Sequence, residues 1–199
     1  MLEAGQRLPG RAFTDPERTL ADAAVLDRML ARLRRHARSW PRGPALVELL
    51  EHTAGLRQWL VVPRPAALLA ARQVTAVGFF GDLRPGVDHA AIYQLEADIV
   101  ERLPGYAAAG LLSYYDAELD RGVHGNLVLF GTPEVPPAWH GDVVHARAVT
   151  LAPRHYRCIR LHRGLIRGPF AGTGGLVIQR TRYLDFRPEA PWHGLRVMA

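Results

Sequence analysis

Three groups of residues in this chain have the types and spacing to do chemistry. The first is Trp139, His140, Asp142 and His145, in the run PPAWHGDVVHARAV. Asp142 and His145 are three apart, so on a helix they share a face. A carboxylate on one imidazole nitrogen fixes its tautomer and raises its basicity, which would make His145 an acid or base near neutral pH. Trp139 would then wall a pocket. The same spacing also suits a plain surface ion pair, which contributes little. His140 and His145 are five apart, about 140° around a helix, so they cannot hold one metal from one face. No HExxH motif is present, and no metal site is expected from the spacing of the nine histidines.

The second group lies on strands. Alternation puts Arg160 with His162 on one face, Arg180 with Arg182 on one face, and Tyr114 with Asp116 and Glu118 on another. If these faces coincide, they make a polar layer whose guanidiniums could hold a ligand carboxylate. Carboxylates and arginines could equally neutralise one another without function. The third group is Asn126, the only Asn in the chain, and Cys158, the only Cys. Cys158 sits between Arg157 and Ile159 in a strand pattern and reads as a small buried residue. No GxSxG, P-loop or GxGxxG motif supports a hydrolase, an NTPase or a dinucleotide enzyme.

The elements that must position these residues follow from periodicity. Thr14-Asp15-Pro16-Glu17 reads as a capping box opening a helix, with Leu26, Leu30, Leu33, Ala37 and Trp40 as its apolar stripe. Arg28, Arg32 and Arg35 share another face, and Pro41-Arg42-Gly43-Pro44 ends the helix. Ala45 to His52 reads as a second short helix stopped near Gly55, Leu56 to Val62 as strand or buried turn, and Pro65 to Arg72 as helical turns. From there the pattern predicts a strand over 73–82 and a helix capped by Asp88, with Ile92, Leu95, Ile99 and Leu103 buried. A hairpin follows over 109–130 with its turn at Asp120-Arg121-Gly122. A helix started by Pro136-Pro137 comes next, then strands over 156–163 and 176–186 and a short tail. Two regions result: residues 1–70, a mostly helical extension, and residues 71–199, one sheet domain.

The class is α+β. The expected fold is a ferredoxin-like βαββαββ antiparallel sheet with its helices on one face. The other face would carry too many apolar side chains to stay wet, so a second copy is expected to cover it. At 199 residues the chain can bury a core, and 48% hydrophobic and 22% charged residues are ordinary for a soluble protein. No apolar run spans a bilayer and no signal-peptide pattern opens the chain, so a cytoplasmic location with no membrane partner is the expectation. The net charge is +6, carried by arginine without any lysine. Such a balance speaks first to solubility, and one Arg face alone does not make a nucleic-acid site.

This element order, together with Asn126 to Phe130 leading into AWHGDVVHARAV, resembles the dimeric α/β-barrel superfamily, which includes antibiotic-biosynthesis-type monooxygenases and haem-binding relatives. The resemblance covers roughly residues 73–186. It implies a homodimer and a ligand site between helices and sheet, with haem as a possible cofactor. The haem-degrading pattern of Asn, Trp and His is not reproduced, because Asn126 falls on the third strand and Trp139 and His145 lie too close together. The resemblance thus implies a monooxygenase-like oxidoreductase acting on an apolar or aromatic acid. His145 and Asp142 would be its catalytic pair, with Trp139, His140, Tyr114, Arg160, His162 and Asn126 around the ligand. Two alternatives stand beside it: a haem or other anionic small-ligand binding protein without turnover, and a nucleic-acid or protein interaction module using the Arg-rich first helix.

Overall fold

The structure is a computed structural model and describes residues 1–40, 46–53, 56–119 and 122–198. The helix stop expected at residues 41–44, the stop at Gly55 and the turn residues Asp120 and Arg121 lie outside the described residues.

Among the described residues fourteen elements follow in order, beginning with a single 3-10 turn at Ala12–Thr14. The helices are α1 (Pro16–Ala37), α2 (Pro65–Ala70), α3 (Ala90–Tyr106), α4 (Pro137–His140) and α5 (Val143–His155). The strands are β1 (Val47–Thr53), β2 (Leu56–Val62), β3 (Val74–Leu83), β4 (Leu111–Leu119), β5 (Val123–Phe130), β6 (Tyr156–Ile166), β7 (Leu176–Asp185) and β8 (Trp192–Val197). All eight strands pair antiparallel in one open sheet, in the order β1-β2-β4-β5-β3-β6-β7-β8.

The α+β class holds, but the ferredoxin-like βαββαββ sheet and dimeric barrel do not. Residues 47–53, read within a helix, and 56–62, read as an ambiguous run, pair as β1 and β2 and extend one edge of the sheet. The tail forms β8 and extends the other edge. The second sheet face is covered from within the same chain. There α1 lays Leu26, Leu30 and Leu33 on Phe80, Leu127, Leu129 and Tyr115. Gly78 permits this close approach, since a Cβ at that position would sit 2.5 Å from the Leu26 Cδ1. The face on which the dimer expectation rested is therefore already buried.

On the opposite face α3 and α5 pack against the sheet. Val100 and Leu103 of α3 meet Val128, Phe130 and Tyr114, while Ile92 and Leu95 meet Tyr156 and Ile159. Period-two alternation thus sends Gly78 and Phe80 toward α1, and Val77 and Phe79 toward α3 and α5. α1 begins at Pro16 behind Asp15, without a side-chain cap; Thr14 donates instead to the Arg11 carbonyl at 2.8 Å. Among the described residues no helix is long and apolar enough to cross a membrane.

Candidate functional site

The residues singled out from the sequence fall in three separate places. At the α4–α5 corner, Trp139 is buried among Tyr106, Tyr114 and Phe130, with ring centroids 5.5, 6.4 and 5.8 Å away. His145 lies against its other side at 5.5 Å. Asp142 does not orient the His145 imidazole. Its Oδ1 accepts from the backbone N–H groups of Val144 and His145 at 2.9 and 3.1 Å, and its Oδ2 accepts from Arg102 Nε at 2.9 Å. It is the N-cap of α5, satisfying donors that the helix cannot. Burial alone would raise its pKa, but the hydrogen bonds from Tyr106, the His145 and Val144 amides and Arg102 hold it down to about 2. Burial, helped by the nearby His140, pushes the His145 pKa below its usual value. His140 is exposed beside Arg163, with Nε2 3.1 Å from Nη2, and burial together with Arg163 lowers its pKa too.

Arg160 and His162 are on the other side of the sheet, facing α1. The Arg160 guanidinium is fully buried and donates from Nε to Asp22 Oδ2 at 2.6 Å and from Nη1 to Asp82 Oδ1 at 3.0 Å. His162 bridges Asp22 Oδ2 at 3.0 Å and Thr181 Oγ1 at 2.8 Å. Burial works against the Arg160 charge, yet Asp22 and Asp82 outweigh it and raise its pKa. The polar layer imagined from alternation is therefore split: Arg160 and His162 face α1, whereas Tyr114 packs on the α3 side.

This network ends at an open cleft of about 1010 Å³. The cleft lies between the N-terminal segment and one end of the sheet, and is lined by residues 7–10, 12, 13, 15, 17, 18, 82, 157, 158 and 187. Four arginines surround it: Arg7, Arg18, Arg157 and Arg187. Arg7 pairs with Glu17 and Arg187 with Asp185, while Arg18 and Arg157 are exposed and join no ion pair among the described residues. The floor is apolar, with Leu8, Pro9 and Phe13 beside Cys158. The Cys158 Sγ lies 3.3 Å from Asp82 Oδ2, and burial with that carboxylate pushes the thiol up to about 12. Nothing in the sequence pattern pointed here, because the cleft needs the N-terminal segment folded back over β3 and β6. The expected principal pocket at His145 is on different elements.

Tyr114 and Asn126 lead to the third place, a buried charged cluster under α3. Asn126 pairs with Asp116 across β4 and β5, two positions from the pair Glu118–His124. Asp116 Oδ1 lies 2.6 Å from His124 Nε2 as an ion-pair contact. Arg57 contacts Glu96 Oε2, Asp116 Oδ2 at 3.5 Å and Glu118 Oε1 at 3.8 Å. Burial opposes the His124 charge, but Asp116 and Glu96 raise its pKa to about 9. Burial and the Asp116 charge push Glu96 up to about 8, while His124 keeps Asp116 below its usual value. Two carboxylates this close cannot both ionise freely, so Asp116 keeps its charge and Glu96 takes the proton. The sequence did carry a sign of Glu96: it occupies a core position within the stripe Ile92, Leu95, Ile99 and Leu103, where a charged residue needs a partner.

No family model, curated protein or solved structure matches this chain. The reading of the site rests on its own chemistry.

Proposed function

We propose that the protein binds an anionic small molecule with an apolar body, a small organic acid, in the cleft beside the N-terminal segment. The observation that carries this is the pairing of two guanidiniums that join no ion pair among the described residues, Arg18 and Arg157, with an apolar floor at Phe13 and Leu8 in one open cavity. Small-molecule sites combine apolar walls with a few placed polar groups, and arginine suits carboxylates through its planar fork. The buried Asp22–Arg160–Asp82 chain stiffens the floor, since Asp82 is held from beneath.

The groups at the cleft favour binding over turnover. The Cys158 thiol stays protonated near neutral pH, and Asp82 is occupied by Arg160 and Cys158. The monooxygenase-like oxidoreductase reading drew on a barrel fold that this sheet does not have, and the cleft adds no support for it. No His lines the cleft, so an imidazole ligand for haem iron is not supplied there. A homodimer no longer follows from an open sheet face. The Arg face of α1 offers little to nucleic acid, because Arg32 is held by Glu51 and Gln58, leaving Arg28 and Arg35.

Trp192 packs against Phe13 and Cys158 and reports on this region. Titrating the protein with aromatic and short aliphatic carboxylates, with their amides as neutral controls, should change its fluorescence for the acids alone. The effect should weaken as salt rises. An equal response to acids and amides would remove the anion from the proposal.

A further inference from the structure

We propose that Glu96, Asp116 and His124 form a binding site for one divalent metal ion of the manganese-to-zinc series. The three residues come from α3, β4 and β5, and one ligand atom of each lies within 4.8 Å of the others. They are 5%, 1% and 7% exposed, so each is more than nine-tenths buried.

The orientation of the two carboxylates carries the argument. Each turns one oxygen outward to Arg57: Oε2 of Glu96 and Oδ2 of Asp116. The other oxygens are left for the interior. Among the described residues Glu96 Oε1 has no hydrogen-bond partner, and neither ring nitrogen of His124 makes a hydrogen bond. Buried polar groups are almost always satisfied, so an unpartnered carboxylate oxygen and an unpartnered imidazole in one buried cluster require an explanation. The 2.6 Å contact between Asp116 Oδ1 and His124 Nε2 lacks hydrogen-bond alignment. An ion bound at ~2.0–2.2 Å would separate these atoms to about 3 Å and satisfy both.

Charge and ligand type select the ion. Once the ion displaces the proton on Glu96, three carboxylates, Glu96, Asp116 and Glu118, face it and a single arginine, so its positive charge is accommodated. Two carboxylate oxygens and one imidazole nitrogen suit manganese, iron, cobalt or zinc better than calcium, which takes more oxygens, or copper(I), which prefers sulfur. Arg57 stays on the outer oxygens and fixes both carboxylates, as outer partners of metal ligands commonly do. This site is separate from the arginine cleft and stands or falls independently of it.

The test uses the full chain, stripped with a chelator and titrated with Co²⁺ at pH 8, where protons compete less for the imidazole. The expected result is a visible-absorption band that saturates at one equivalent. The melting temperature should also rise by about 5–10 °C at free Co²⁺ ~100-fold above Kd. Glu96→Gln and His124→Gln should each weaken Co²⁺ binding by at least about tenfold. X-ray absorption of the zinc-loaded wild type reads the site without any variant and should show an oxygen and nitrogen shell with a single imidazole. Absence of saturable Co²⁺ binding, or wild-type affinity in folded variants, or a shell of several imidazoles, would overturn the proposal.

Discussion

Asp142 shows how one residue type can serve two very different roles at the same spacing. Its distance of three from His145 matched a catalytic dyad or a surface ion pair, and the structure uses it instead as a helix cap. The choice follows from Gly141, which ends α4 and leaves the next helix to start at Val143 with its amides unpaired. Asp142→Ala is expected to cost about 1 kcal/mol of stability, the usual worth of an N-cap. The pH dependence has a definite sign. The folded pKa, about 2, is below the ordinary 3.8, so this contribution is present above pH 3.8 and is lost as pH falls toward 2. Chemical denaturation of wild type and Asp142→Ala should therefore converge in acid. A stability gap that stays constant down to pH 2 would contradict the cap.

The elements in the middle of the chain were legible, and those at the sheet edges were not. β3, α3, the β4–β5 hairpin, β6 and β7 each have strong alternation or a clear apolar stripe, and all form close to where periodicity put them. β1 was misread as helix. Its run VELLEHT has helix-forming Leu and Glu, and as an edge strand it leaves Leu50 exposed, which blurs the alternation. Only pairing with β2 makes it a strand. β8 behaves likewise: WHGLRV is short, and its register comes from β7. Of the site, Arg160 and His162 were found as a pair. Their partners Asp22 and Asp82 are 138 and 78 residues from Arg160, beyond what local spacing can reveal. The packing of α1 on the sheet yields its own prediction. Leu26→Ala should destabilise by about 2–5 kcal/mol, as a fully buried Leu does. Gly78→Ala should also destabilise, because its new methyl meets Leu26. The double variant should lose less than the sum, since Ala at 26 makes room for the methyl. Strict additivity in urea melts would show that α1 does not sit against Gly78.

At the scale of the whole molecule, three polar regions lie on the two faces of the sheet. The arginine cleft and the Asp22–Arg160–His162 chain lie with α1; the Glu96–Asp116–His124 cluster lies under α3; and the Trp139–His145 corner sits at the α4–α5 joint. The cleft exists only because the N-terminal segment returns to the sheet end, where Arg187 donates to the Gly10 carbonyl at 3.0 Å and Arg11 Nε lies 3.3 Å from Asp185. Ligand binding there should tie that segment down. The most direct measurement is the dissociation constant of the tightest-binding carboxylate for wild type and for Arg18→Gln/Arg157→Gln, at low salt, with melting temperatures as the control for folding. Loss of a charge-assisted pair is worth ~1.5–3 kcal/mol, so the double variant should bind at least about tenfold more weakly at unchanged stability. Equal affinity in a folded double variant would place the acid elsewhere and contradict the cleft as its site.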